Sequence, residues 1–199
     1  MVFDLLGQSL EELRLDFGEQ MSLKVVLHLS LQMLSLVEAV HDRGIIHRDL
    51  KPANFLIKPN AHGVSELYLI DFGLARSFLD EKSNHYELHA NEPFVGTKRY
   101  MSINTHQGLT ASRRDDLESL GYIMLFLYQG RLPWQKTAMN PDINADIIEL
   151  KKQITWTPGS VGEFVLFLLY CRNLGFSARP NYAYLQNVLK NAMLLHSTI

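Results

Sequence analysis

The chain has 199 residues, a net charge of −2, 47% hydrophobic residues and 20% charged residues. That length suits one domain around one core, and the composition excludes an intrinsically disordered chain. The near-neutral balance gives no electrostatic reason to expect a nucleic acid or a membrane surface as partner, and the lone cysteine, Cys171, excludes an intrachain disulfide.

In chain order, residues 1–7 lack a basic leader region and Asp4 interrupts their apolar run, so they do not form a signal peptide. A helix is predicted over residues 22–43. Ser22 is its N-cap, Gly44 its stop, and Val26, Leu29, Met33, Val37 and Val40 form its inward stripe. Short strands are predicted at 45–46, 54–57 and 67–70, followed by a long irregular stretch from Asp71 to about His106. A second helix runs from Ser112 to Tyr128 and closes at Gly130. Its second half is apolar nearly all round, so it belongs at the centre of the core. Residues 121–128 are the longest unbroken apolar run, far short of a membrane span.

A shorter helix over 144–154 carries Ile147, Ile148, Leu150 and Ile154. Ser160 and Glu163 form a capping-box pattern opening a buried helix to about Arg172, with Cys171 inside it as a structural thiol. Pro180 opens the last helix, with Tyr182, Leu185, Val188, Leu189 and Ala192 inward. The predicted fold is mainly α, one domain over 1–199, in a cytoplasmic or nuclear setting.

The chemistry is concentrated in His47-Arg48-Asp49-Leu50-Lys51-Pro52-Ala53-Asn54, followed seventeen residues after Asn54 by Asp71-Phe72-Gly73. Each fixed position has a chance frequency of about one in twenty, so the ordered set is not coincidence. Together they resemble the catalytic-loop and metal-loop signatures of protein kinases. Phosphoryl transfer asks a protein to position groups and to stabilise charge. Asp49 is the candidate to orient an acceptor hydroxyl and take its proton. Asn54 and Asp71 offer oxygen ligands for Mg²⁺, a hard cation, and Lys51 offers a point charge to the moving phosphoryl group. His47 and Phe72 read as packing residues, and Asp116 as an anchor for the backbone of the catalytic loop.

The family narrows at Gly96-Thr97-Lys98-Arg99-Tyr100-Met101-Ser102-Ile103-Asn104, at Asp115-Asp116-Leu117-Glu118, and at Leu132-Pro133-Trp134-Gln135. These segments resemble casein kinase 1, whose activation segment ends in Ser-Ile-Asn where most kinases have Ala-Pro-Glu. The resemblance implies a kinase C-terminal lobe with short β-hairpins around the catalytic and metal loops. It places the hinge at 3–8, the catalytic loop at 47–54 and the activation segment at 71–104. It implies ATP and Mg²⁺ as cofactors, Ser/Thr as acceptor from Lys51, and protein substrates that are acidic or primed. It also implies a monomer when complete.

By the same resemblance Phe3 matches the gatekeeper, Leu6 the hinge residue that meets adenine, and Leu56 the floor under the base. Thr97 matches the residue that bonds Asp49 and Lys51, and Arg99 a basic residue for substrate anions. Arg179 is expected beside Asn104 at the end of the activation segment. No basic residue is assigned to clamp a phosphate on that segment, so its order is expected to need no phosphorylation.

Two loops depart from the pattern. Asn91-Glu92-Pro93-Phe94-Val95 is not basic, and Asp142, Asp146 and Glu149 enter a segment that is basic in many relatives. No glycine-rich phosphate loop and no Val-Ala-Ile-Lys strand occur within the 199 residues. The expectation is therefore a kinase lobe that acts within a fuller domain, with the N-terminal β-lobe absent from this stretch. The alternative is a non-catalytic module that binds substrates or partners.

Overall fold

A computed structural model describes residues 7–59, 65–135, 144–154 and 161–196. Seven α-helices lie among these residues, α1 (Leu10–Asp16), α2 (Leu23–His41), α3 (Ile103–His106), α4 (Arg113–Gln129), α5 (Asn144–Lys152), α6 (Gly162–Asn173) and α7 (Tyr182–Leu195). Four short strands pair into two antiparallel ribbons. β1 (Ile45–Ile46) lies against β4 (Arg76–Ser77), and β2 (Phe55–Pro59) against β3 (Ser65–Leu69).

The predicted helix starts have local causes. Ser22 accepts the Val25 N–H at the head of α2, and Asp115 accepts the Ser112 N–H at the head of α4. At the other end of α4, Gly130 takes a left-handed φ of 75°, which ends the helix. Ser160 of the expected capping box lies outside the described residues, and α6 begins after Val161. Two helices escape the periodicity reading. The α1 helix has seven residues and starts on a Ser9–Glu12 capping box, and α3 has four inside the stretch read as irregular.

The core is built around α4, in which every residue from Asp115 to Leu127 is buried. On one flank α2 packs against α4 and α7; on another, α6 packs against α4. The α4–α6 contact is close because residue 121 is glycine. A Cβ there would come within 2.5 Å of Leu168 Cδ2. The β2–β3 ribbon lies on α2, with Phe55, Ile57 and Leu67 turned into the core.

By length and composition α2 could cross a membrane, with nineteen residues and a mean hydropathy of 1.5. An unbroken-run count misses it because Ser30, Gln32 and Ser35 interrupt the apolar residues. Its contacts with α4, α7 and β3 make it a core helix of this domain.

Candidate active site

The loop that follows β1 is held from below by α4. Asp116 accepts the His47 N–H at 2.7 Å and the Arg48 N–H at 2.9 Å, and lies 3.0 Å from His41 Nε2. The Tyr182 hydroxyl sits 2.6 Å from His41 Nδ1, so α2, α4 and α7 meet at this anchor. Burial would raise the Asp116 pKa, but the His41 contact and the two backbone N–H groups outweigh it, and the carboxyl is held below its usual range. Arg48 is held in the left-handed region at φ 68°, a conformation that costs a non-glycine residue about 1–3 kcal/mol. Its Nε donates to the Leu74 carbonyl at 2.6 Å.

That turn aims Asp49 into the cleft, where it is 7% exposed. One carboxylate oxygen accepts both the Thr97 N–H at 2.8 Å and the Thr97 hydroxyl at 2.7 Å. The other accepts from Lys51 Nζ at 2.6 Å. Gly96 is required beside this contact. Its φ is 102°, and a Cβ would collide with the Arg48 carbonyl.

Asn54 closes the same loop by donating its amide to the Asp49 carbonyl at 3.0 Å, which leaves its amide oxygen able to accept. The Ile70 N–H donates to the Asn54 carbonyl at 3.0 Å, extending the β2–β3 register by one pair. Asp71 is the next residue. It is exposed at φ 64°, and among the described residues its side chain takes one contact, 3.4 Å from the Gly73 N–H. His47 contacts the Ile70 carbonyl at 3.0 Å and carries the Phe72 ring at 5.0 Å. His47 is buried as expected. Phe72 differs from the core assignment: its outer face is open, at 46% exposure.

Gly7 and Gln8 run along β2, bonding Ile57 through both of its backbone groups, and Ser9 bridges Leu56. Leu56 points to the half-open face opposite Phe55 and Ile57. Phe3 and Leu6 lie outside the described residues. Of the other expected residues, Lys51, Asn54 and Thr97 are hydrogen-bonded to Asp49, Asp71 follows the Ile70 that pairs with Asn54, and no hydrogen bond or ion pair ties Leu56 or Arg99 to Asp49. A cavity of about 400 Å³ opens beside it, lined by Lys51, Thr97, Lys98, Arg99, Tyr100 and Glu11 among others. The Arg99 guanidinium lies over the Phe126 ring at 5.5 Å, and among the described residues it pairs with no carboxylate.

The surroundings of Asn104 correct one expectation. Arg179 does not reach Asn104. It is exposed and pairs with Asp42 at 2.9 Å, because the turn before α7 carries it to the C-terminal end of α2. Asn104 donates instead to Asp115, which also accepts the Ser102 hydroxyl at 2.6 Å. The arginine serving this region is Arg172, 3.4 Å from Glu118 and 3.1 Å from the Tyr122 hydroxyl. Glu118 in turn accepts the Ile103 N–H. Burial pushes Asp115 up to about 6, against the pull of Ser102, the Ser112 N–H and Arg114. Sequence reading quoted Asp115 and Glu118 within a motif without giving them partners, and missed Arg172 because only the fold tells which arginine faces α4.

A second difference concerns the basic surroundings of the stretch before α3. Arg76 lies 3.8 Å from Glu92, and Arg48 stands within the field of both. The segment thus brings its own carboxylate to two arginines that sequence reading left unassigned. Cys171 is buried as expected, and burial pushes its thiol well up.

A buried aspartate held by a lysine and a threonine, on a loop anchored to the central helix and followed by Asn54 and an exposed Asp71, suits phosphoryl transfer. The protein kinase domain family profile matches residues 1–189, and the chain belongs to that family. It is therefore a transferase domain of the kind that moves phosphate to proteins, and such domains generally use ATP and Mg²⁺.

Proposed function

We propose that the chain is the acceptor-side lobe of a serine/threonine protein kinase similar to casein kinase 1. The observation that carries this is the Asp49 carboxylate, held at 2.6 Å by Lys51 and at 2.7 Å by Thr97 beside Asn54 and Asp71. Asp49 orients the acceptor hydroxyl and takes its proton. Lys51 holds Asp49 and faces the transferring group, and Thr97 fixes the activation segment to the same carboxylate. Lys51, two residues after Asp49, supports Ser or Thr as the acceptor. The Ser102-Ile103-Asn104 ending, with Ser102 and Asn104 both bonded to Asp115, supports the casein kinase 1 likeness.

The oxygen of Asn54 and the exposed carboxylate of Asp71 suit Mg²⁺, which keeps its own waters and phosphate oxygens and needs few protein ligands. MgATP supplies the phosphoryl group and part of the charge that neutralises it. In the hinge at 3–8, Leu6 meets the adenine, and Leu56 forms its floor, with Phe3 as gatekeeper. Arg99, stacked and among the described residues without a carboxylate partner, is the anion site for acidic or primed substrates. The catalytic loop spans 47–54 and the activation segment 71–104. The reading as a C-terminal lobe rests on what these residues contain, which is one wall of a nucleotide site. Exposed Phe72 marks part of the face on which the other wall would sit, whereas buried His47 does not.

The test is transfer of radiolabelled phosphate to an acidic protein substrate by the lobe joined to an N-terminal kinase lobe, with the phosphoamino acid identified. Phosphoserine or phosphothreonine is expected. Phosphotyrosine would contradict the acceptor assignment, and tight substrate binding without transfer would favour the binding module.

A further inference from the structure

One buried charge plays no part in the Asp49 cleft. Lys151, on α5, is 0% exposed. Its Nζ donates to the Met101 carbonyl at 2.5 Å and the Lys98 carbonyl at 3.0 Å, and lies 3.0 Å from His106 Nε2. The Tyr122 and Trp134 rings stand 4.7 and 5.2 Å from it. Trp134 adds another tie, donating from Nε1 to the Arg99 carbonyl at 2.7 Å. The turn that lines the cavity beside Asp49 is therefore bonded through Thr97 at one end and through Lys98, Arg99 and Met101 from behind.

An ammonium buried without a touching carboxylate is costly, and an apolar side chain would fill the same space at lower cost. Among the described residues no carboxylate lies within ion-pair distance of Lys151; Glu118 acts on it from further away. What the charge accomplishes is to satisfy two carbonyls of one turn. We propose that Lys151 is the positioning residue of the acceptor-side turn, its ammonium clamping residues 98–101 and loosening them when it loses its proton. The description of the turn as acceptor-side rests on the proposed kinase function; the clamp itself does not.

The surroundings set where this happens. Burial lowers Lys151 to about 7, with Glu118 opposing and Arg172 assisting. The groups facing it are Lys98 from the turn, His106 from α3, Glu118 and Tyr122 from α4, and Arg172 from α6, whose Nη2 donates to the Lys151 carbonyl. Burial, and then the Lys151 charge, hold His106 down at about 3, so the imidazole is neutral in both states.

The protons balance. As an ammonium, Lys151 donates to Met101, Lys98 and His106 Nε2, and the imidazole proton sits on Nδ1, which is buried without a partner. As an amine, Lys151 keeps two donors for the carbonyls, and its lone pair accepts a proton bond from His106 Nε2–H. The bare Nδ1 then has no donor left unsatisfied. Loss of one proton to solvent thus turns two charge-assisted bonds into neutral ones of about half the strength.

The chain with Trp156→Phe retains Trp134 as its sole tryptophan. Trp134 emission and tryptic cleavage after Lys98 and Arg99 are followed from about pH 5.5 to about pH 9.5, spanning the Lys151 transition. Cleavage is normalised to a free peptide of residues 94–104. Both signals are expected to show one step with a midpoint near 7, with cleavage about tenfold faster on the basic side. Lys151→Met is expected to remove the step and cleave at the fast rate throughout. If that variant does not fold, the step in the parent protein still decides the matter. A flat response, or cleavage that Lys151→Met leaves unchanged, would overturn the clamp and leave the kinase reading standing. A step in this chain, together with no Asp49-dependent transfer by the complete domain, would support the clamp while the kinase reading failed.

Discussion

Asp115 and Asp116 are neighbours on one helix with opposite electrostatic fates. Asp116 receives His41 and two backbone N–H groups, so its folded pKa falls below the unfolded value. The unfolded state then binds more protons as pH drops, and the stability from Asp116 is present above about pH 4 and lost as pH falls through the folded pKa. Asp115 is pushed up to about 6, so its contribution is fully present below about pH 4 and declines as pH rises through 6. Denaturant unfolding of Asp116→Asn is expected to show a loss on the order of 1–3 kcal/mol per orphaned N–H at pH 7, shrinking toward low pH. Asp115→Asn should flatten the dependence between about pH 4 and 6. A loss in Asp116→Asn that grows as pH falls would contradict the assignment. At Thr97, replacement by alanine keeps the backbone bond to Asp49 and removes the hydroxyl bond. Phosphate transfer by the complete domain is expected to fall about tenfold, the worth of one charge-assisted hydrogen bond, and Thr97→Ser to restore it.

At the scale of elements, the close approach of α4 and α6 depends on Gly121. Gly121→Ala places a methyl 2.5 Å from Leu168 Cδ2 and 2.8 Å from Cγ, inside a filled core. Chemical denaturation should register a loss of about 1–3 kcal/mol with an unchanged m value. No change in midpoint would show that the two helices part freely. The longer elements were legible in the residues because period and caps agreed. Ser22 opens α2, Gly130 closes α4, and the ribbon of β2 and β3 follows from short apolar runs beside the motif. The α1 and α3 helices were not, since one or two turns leave too few apolar positions to show a period. Asp49, Lys51, Asn54 and Asp71 were legible as a set because a motif keeps them within one loop and one strand end. Arg172, Glu118, His41 and Lys151 were not, because each has a partner at least 53 residues away that only packing brings to it. The misplacement of Arg179 has the same origin. Two arginines seven residues apart look alike until the turn before α7 sends one toward solvent and Asp42.

For the whole molecule, the described residues form one packed helical core, and the proposed function makes it one wall of a catalytic site. Asp49 is anchored through Asp116, His41 and Tyr182 to three helices, and through Thr97 to the stretch that precedes α3. Asp71, by contrast, is open to solvent. A nucleotide on such an open face stays hydrated, so positioning and electrostatic stabilisation are both weakened. Residues 1–199 alone are therefore expected to transfer little phosphate, and an added N-terminal lobe of roughly 80 residues, a kinase-sized complement, to restore transfer. The central claim is that Asp49 is the group that handles the acceptor hydroxyl. The most direct measurement compares radiolabelled phosphate transfer to a Ser/Thr protein substrate by the complete domain and by its Asp49→Asn variant. The account expects transfer to fall by about a hundredfold or more, with nucleotide affinity unchanged. Equal transfer by the two proteins would contradict it.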